Sequence, residues 1–360
     1  MKTAKSILYS LVLLSLSLLS TVGYARHAAI LVEADTGHIL NEVDATRSWY
    51  PASLTKVMTL YMAFTALNQQ QINLNDSIVT TLHAAQQPNS KLGLRTGETI
   101  TVQEAILAII TRSANDAAVA LGEHLGGNEE NFAMKMTAKA HAIGMFDSHF
   151  MNATGLPHPW QVTNARDMAL LAWRVMHDFP QFYSYFSAHS FYFRGRELRG
   201  INKFTASYPG AEGMKTGFTC GSGYNLMSSA KQNDRRLIGV VLGGQSSAER
   251  YKLMTQLMDN GFSGKFTRTE KLIVTIPSKS VESTPYLLDC GDFRYSHSNI
   301  THENSFQEQH LISPRSSKRV GKLAKFKAVN NKKVRSVVRH HFVSIKKEIK
   351  HSKKNYRHNR

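Results

Sequence analysis

Strand-like sequence occurs at two widely separated places in this chain, with a helical block between them. Near the start, Ala28-Ala29-Ile30-Leu31-Val32 is apolar, Asp35-Thr36-Gly37 has turn composition, and His38-Ile39-Leu40 begins a return strand. Strand character reappears only from Ser190, in Phe191-Tyr192-Phe193, Gly213 to Phe218, Tyr224 to Ala230 and Leu237 to Leu242, with Asn233-Asp234 turning between the last two. The middle reads as helices. One enters at Pro51 and runs to about Leu67. Thr101 and Glu104 form a capping box before Ala105 to Ile110, and Ser113-Ala114-Asn115-Asp116 interrupts the helix before Ala117 to Leu125 resumes it. Glu129 to Ile143 and a helix capped by Thr163-Asn164 and running to His177 complete the block. Residues 68–100 are polar and turn-rich. Ser247 to Met258 is a closing helix, with Gly261 as its expected stop. This order predicts an α+β fold: an antiparallel sheet of about five strands, its edges drawn from both ends of the chain, flanked by helices.

Charge separates a body from an appendage. The net charge is +18, and residues 315–360 hold 17 Lys/Arg against one acidic residue, so the other 314 residues are nearly neutral. In that tail Val334, Val338, Phe342, Ile345 and Ile349 recur at helical spacing, which suits a basic, amphipathic segment on an anionic membrane or envelope surface. Few aromatics accompany the charge, so nucleic acid is not the expected partner. At the other end, Lys2 and Lys5 precede a serine-diluted apolar run from Ile7 to Leu19, and Gly23-Tyr24-Ala25 is a small-x-small cleavage site. Residues 1–25 therefore read as a secretory signal, the run being shorter than the ~20 apolar residues of a membrane span. The expected organisation is a signal at 1–25, a catalytic domain at 26–264, a linker or remnant of a β-rich domain at 265–314 and the basic tail at 315–360. The two cysteines, Cys220 and Cys290, do not make a disulfide framework, though a bond between them is open. No Cys/His spacing implies a metal, and no cofactor motif is present.

Ser53 and Lys56 stand one helical turn apart at the entry of the first long helix. Residues at i and i+3 share a face, so the lysine amine can reach the serine hydroxyl. A serine needs a base to become a nucleophile, and a lysine serves if burial and a neighbouring cation depress its pKa. Ser-x-x-Lys occurs three times, at Ser53, Ser228 and Ser344, so the spacing alone decides nothing. Ser228 lies in an expected strand, where i and i+3 point to opposite faces, and Ser344 lies in the basic tail. Only Ser53 opens an apolar helix. Ser113-Ala114-Asn115 can present a hydroxyl and an amide from a helix break. Lys215-Thr216-Gly217 can line a cleft with a cation, a hydroxyl and a glycine that lets substrate approach the backbone.

Ser113 follows Ser53 by 60 residues, and Lys215 follows Ser113 by 102. In this order and spacing the three elements resemble the signature of the serine active-site penicillin-recognising enzymes. Ala34-Asp35-Thr36-Gly37, Phe150 to Leu156 and Gly223-Tyr224-Asn225-Leu226 narrow the resemblance to the low-molecular-weight D-alanyl-D-alanine carboxypeptidases, over roughly residues 26–264. The resemblance implies a β-lactamase/transpeptidase-like fold with a helical subregion, peptidoglycan stem peptides as substrate and β-lactams as acylating inhibitors. It further implies Ser53 as nucleophile and Lys56 as base. Ser113 beside Lys215 would be the route of a proton to the departing amine, and Asn115 the holder of the substrate amide. The N–H groups of Ser53 and Phe218 would form an oxyanion hole, with Thr216 and Arg250 for the terminal carboxylate. Phe218 departs from the histidine that often follows this Lys-Thr-Gly. A class A β-lactamase would need a glutamate after Ser-x-Asn to activate the deacylating water, and no glutamate lies between Glu130 and Glu197. A D,D-endopeptidase would use the same residues on a longer substrate. A non-enzymatic alternative is a polyanion-binding protein acting through the tail.

Overall fold

The computed structural model describes residues 27–275. The signal, Cys290, the third Ser-x-x-Lys and the tail lie outside the described residues. The hairpin β1 (Ala28–Glu33) and β2 (Ile39–Val43) is joined by three late strands, β7 (Ala211–Thr219), β8 (Gly223–Gln232) and β9 (Arg235–Gly244). They make one antiparallel sheet in the order β2-β1-β9-β8-β7, with edges from the two ends of the chain as expected. Alternation sorts its side chains. Ile30, Val32, Ile238, Val240 and Leu242 face the helical block, while Leu31, Leu226, Leu237 and Val241 pack on Met254, Leu257 and Met258 of the closing helix.

The helical block comprises α1 (Thr55–Asn68), α2 (Val102–Arg112), α3 (Asn115–Gly126), α4 (Glu129–Ala142) and α5 (Ala165–Asp178). Side-chain caps begin three of them. Thr101 and Glu104 form a reciprocal capping box on α2, and Asn128 and Asn164 accept N–H bonds at the heads of α4 and α5. Helix α1 is buried nearly all round, which is the mark of a central helix and carries Lys56 out of solvent.

Five details differ from the sequence expectations. The turn-rich stretch 68–100 contains a small ladder, β3 (Ser77–Val79) with β4 (Thr99–Thr101). Phe191 to Phe193 belongs to a separate hairpin, β5 (Ser190–Phe193) with β6 (Arg196–Arg199), rather than to the main sheet. Between this hairpin and β7 lies the short helix α6 (Lys203–Ser207). Gly261 does not stop the last helix, α7 (Ser247–Phe262); it is buried inside it, where a Cβ would lie 2.5 Å from Leu31 Cδ2. Close packing against Leu31 and Leu237, not helix termination, accounts for this glycine. Leu272 to Ile276 has the composition of a strand, but Leu272 makes only an isolated bridge to His38, followed by a turn. That segment still binds the body. Ile39 N–H donates to Lys271 O, Ile273 N–H donates to Gly37 O, and the Ile273 side chain is fully buried, so packing continues past residue 264.

Candidate active site

Ser53 lies in a 3₁₀ turn, Ala52–Leu54, that leads into α1. Two clamps from the far strands fix this turn. Asn225 on β8 donates its amide to Tyr50 O (3.0 Å) and Pro51 O (3.2 Å), and its Oδ1 accepts Gly243 N–H at 3.0 Å. The Trp49 indole N–H donates to Ser222 O at 2.8 Å, and its ring fills the space where a Cβ on Gly243 would stand. The turn rests against β7 at Gly217, where an added Cβ would come within 3.1 Å of Ser53 N. β7 is an edge of the sheet, so its outer side has no strand partner.

Lys56 has no exposed surface. Its Nζ is 3.1 Å from Ser53 Oγ, 2.7 Å from Asn115 Oδ1 and 2.6 Å from Thr154 O. Burial is the first cause that holds its pKa well below the ordinary lysine value, and the nearby Lys215 charge is the second. Thr154 O is held in place by a network. Asn152 Oδ1 accepts from Thr154 N, Thr154 Oγ1 and Gly155 N, while Gln161 Oε1 accepts from Met151 N and Asn152 N. Ala153 is gripped on both sides, its N–H donating to Glu129 at 2.9 Å and its carbonyl accepting Thr59 Oγ1 at 2.7 Å.

Ser113 ends α2 in the left-handed region (φ 55°), which costs a non-glycine residue about 1–2 kcal/mol and turns the chain so that Asn115 starts α3. Asn115 donates its N–H to Ser90 O (2.7 Å) and an amide hydrogen to Pro88 O (2.9 Å). Its neighbour Asp116 is fully buried and accepts from the N–H groups of Leu92, Gly93, Leu94 and Ala117. These two residues tie the 88–94 loop to the Ser113 break.

On β7, Lys215 is 1% exposed, and burial with the Arg250 charge pushes its pKa down to about 7. Arg250, in the first turn of α7, is buried behind the strand. Its Nη1 is 3.3 Å from Gly217 O, and its guanidinium lies 5.5 Å from the Tyr224 ring and 4.7 Å from that of Tyr251. Phe218 is exposed and packs on Tyr224. Cys220 is half-buried in the turn beyond it.

The structure thus brings Ser53, Lys56 and Asn115 into one hydrogen-bonded cluster, with Gly217 in contact with Ser53 and the Lys215 and Arg250 charges close enough to bias the lysines. Ser113 is not hydrogen-bonded to Ser53 or to either lysine. The second Ser-x-x-Lys is excluded: Ser228 is buried in β8, donating to Gly213 O, and Lys231 is exposed. Three contributors escaped the residue reading: the Thr154 carbonyl, Asp116 and Asn225. Thr154 and Asn225 lie within stretches that carry the resemblance, but a carbonyl or a clamp has no side-chain signature.

A five-stranded antiparallel sheet, a helical block and a buried lysine at the head of its central helix form the architecture of the penicillin-binding proteins. Solved structures agree. The D-alanyl-D-alanine carboxypeptidase DacD of Francisella tularensis superposes with a TM-score of 0.63 at 30% identity, covering 66% of this chain and 70% of that one. Penicillin-binding protein D2 of Listeria monocytogenes in its ampicillin-bound form gives 0.57 at 28% identity, covering 65% and 96%. The D-alanyl-D-alanine carboxypeptidase model, peptidase S11, matches residues 20–246. The carboxypeptidase DacF of Bacillus subtilis is 34% identical over 249 residues, 68% of this chain and 64% of that protein. DacC of Escherichia coli is 36% identical over 242 residues, 65% and 60%. The chain belongs to the D-alanyl-D-alanine carboxypeptidase family, peptidase S11, of low-molecular-weight penicillin-binding proteins. It spans 64% and 60% of the length of these two curated relatives.

Proposed function

We propose that this chain is a serine D-alanyl-D-alanine carboxypeptidase that removes the terminal D-alanine of peptidoglycan stem peptides and is acylated by β-lactams. The observation that carries this reading is the Lys56 amine, buried without a carboxylate partner among the described residues and 3.1 Å from Ser53 Oγ. A neutral amine has two N–H bonds and one lone pair. The Asn115 and Thr154 oxygens accept the two N–H bonds, which leaves the lone pair for the Ser53 proton. Ser53 Oγ then bonds to the carbonyl carbon between the two D-alanines. The N–H groups of Ser53 and Phe218 stabilise the oxyanion, helped by the positive potential at the start of α1. The C–N bond breaks as a proton reaches the departing amine through Ser113 and Lys215, and water cleaves the resulting ester with Lys56 again as base. The second amide hydrogen of Asn115, not used by Pro88, binds the substrate amide. Thr216 binds the terminal carboxylate, and Arg250 adds positive potential from behind Gly217. Glu129, which lies beside the site, is committed to Ala153 N–H and to His83, and so is not placed to serve as a lactamase-type base.

Penicillin should label the purified protein one-to-one in a long-lived adduct, and the protein should release D-alanine from a D-Ala-D-Ala peptide. Rapid steady-state turnover of nitrocefin with no adduct would replace this reading with a β-lactamase. The pH profile follows from the two lysines. Lys56 must be neutral, so kcat/KM rises as it loses its proton, well below pH 10.5. Lys215 must be charged, so kcat/KM falls as pH rises through about 7. In Lys215→Arg, which cannot deprotonate, the falling limb should vanish; its survival would assign that limb to another group.

The signal-like residues 1–25 and the cell-wall substrate support an exported, periplasmic location. The charge of 315–360 supports attachment to an anionic membrane or envelope surface. Among the described residues no helix is long and apolar enough to cross a membrane.

A further inference from the structure

Glu129 begins α4, where an acidic residue is ordinary, but its side chain is largely buried while that of the next residue, Glu130, is exposed. The Glu129 carboxylate turns toward the site. Its Oε1 accepts Ala153 N–H at 2.9 Å, and its Oε2 lies 2.6 Å from Nε2 of His83, on the short helix Leu82–Ala85. Ala153 is fully buried, so its N–H depends on this acceptor. The Ala153 carbonyl accepts Thr59 Oγ1 of α1 at 2.7 Å, and the next carbonyl, that of Thr154, accepts Lys56 Nζ at 2.6 Å. Glu129 therefore grips the backbone one residue away from the carbonyl that orients the base. A Cβ on Gly122 of α3 would come within 3.2 Å of Ala153 Cβ, so this backbone is also packed from behind.

The reaction proposed above adds an electrostatic demand. When Lys56 takes the Ser53 proton it becomes an ammonium ion with no exposed surface, and a buried charge is costly unless an opposite charge offsets it. Burial first, and the Lys215 charge second, oppose that ammonium, while the Asp116 and Glu129 charges favour it. Asp116 is taken up by four N–H groups and anchors the 88–94 loop. Glu129 takes one backbone N–H, and its other oxygen meets an imidazole. The hydrogen bond to Glu129 is the first cause that holds the His83 pKa above the ordinary histidine value, and the charges of Glu123 on α3 and Glu130 on α4 act in the same sense. The 152–156 stretch brings no charged group to this cluster. We propose that Glu129 is the positioning residue of the general base: through Ala153 it fixes the Thr154 carbonyl on Lys56, and its negative charge stabilises the ammonium formed as Ser53 is activated, as a buried aspartate does behind the imidazole of a Ser-His-Asp triad. His83 holds the outer carboxylate oxygen in place. The inference rests on the carboxypeptidase reading and names the group behind its base.

The test follows the rate of penicillin acylation against pH in the full chain. Glu129→Gln keeps an oxygen for Ala153 N–H and removes the charge. Its Lys56 should lose a proton at lower pH and be a weaker base once neutral. The variant should therefore acylate faster than the wild type below the rising limb and slower on the plateau, so that the two profiles cross. Glu129→Asp keeps the charge and shortens the reach to Ala153. Its rising limb should stay at the wild-type pH while its plateau falls about two- to tenfold, the loss of one hydrogen bond. A Glu129→Gln profile that coincides with the wild type, or differs from it by one factor at every pH, would make Glu129 a purely structural residue and overturn the inference. So would a Glu129→Asp limb displaced as far as that of Glu129→Gln. A wild-type protein that penicillin does not acylate, or Lys56→Met acylated at the wild-type rate, would instead remove the parent reading, and this inference with it.

Discussion

Ser53→Ala is expected to abolish covalent labelling by penicillin, and Lys56→Met to slow it by about 10²–10⁴-fold, the usual contribution of a general base. The two losses have different origins. Without Ser53 there is no oxygen to form the ester. Without Lys56 the hydroxyl remains, but nothing within 3.1 Å can take its proton, and Asn115 Oδ1 and Thr154 O lose their buried donor. Methionine matches the length of the lysine stem and suits a residue with no exposed surface, so the fold should survive. Time courses of fluorescent-penicillin labelling, with circular dichroism as a check on folding, separate the outcomes. Ser53→Ala labelled at the wild-type rate would move the nucleophile elsewhere. Lys56→Met acylated at the wild-type rate would assign the base to another residue.

Gly155→Ala is the second large effect. Gly155 has φ +83°, and a Cβ there would lie 1.8 Å from the Ala52 carbonyl oxygen and 3.0 Å from Ser53 N. Backbone is on both sides of this clash, so no side-chain rotation relieves it. Left-handed strain and overpacking together should cost about 2–4 kcal/mol. For a domain of this size that lowers Tm by about 5–15 °C. The acylation rate should fall as well, because the displaced atoms are the Thr154–Gly155 backbone that holds Lys56 and the turn that holds Ser53. Gly97→Ala is the control. It shares the left-handed conformation (φ +81°) but has nothing within 4 Å of an added Cβ, so it should lose only the strain and keep full acylation. Equal losses in both variants would show that the contact with Ala52 is unimportant.

Local chemistry made the fold legible wherever short-range rules decide it. The Thr101–Glu104 box, the Ser113 break and the strand alternation that splits Ile30 from Leu31 follow from a few neighbouring residues. What could not be read depends on distant partners. Gly261 resembles a helix stop until Leu31 and Leu237 are seen against it. Phe191 to Phe193 has the composition of a sheet strand, yet pairs only with Arg196 to Arg199. The site divides in the same way. Spacing and order picked out Ser53, Lys56, Ser113, Asn115 and Lys215. The depression of the Lys56 pKa is not readable in the sequence, because it arises first from α1 being enclosed and second from the Lys215 charge on a late strand. The burial of Arg250 behind Gly217 is likewise a tertiary fact that its place in the first turn of a helix does not announce.

The pairing of β1 with β9, Ala28 opposite Leu242, also sets an order of events during synthesis. β1 is the second strand of the sheet, yet one of its two neighbours is made some two hundred residues after it. Until then the hairpin offers an open edge and two apolar faces, and contacts of such long sequence separation form slowly. The turn that carries Ser53 waits with it, since Gly217, Ser222, Asn225 and Gly243, which position it, all come from the last strands. An unfinished chain therefore contains the serine and the lysine but not the geometry that joins them, so acylation begins only when the last strands of the sheet are in place.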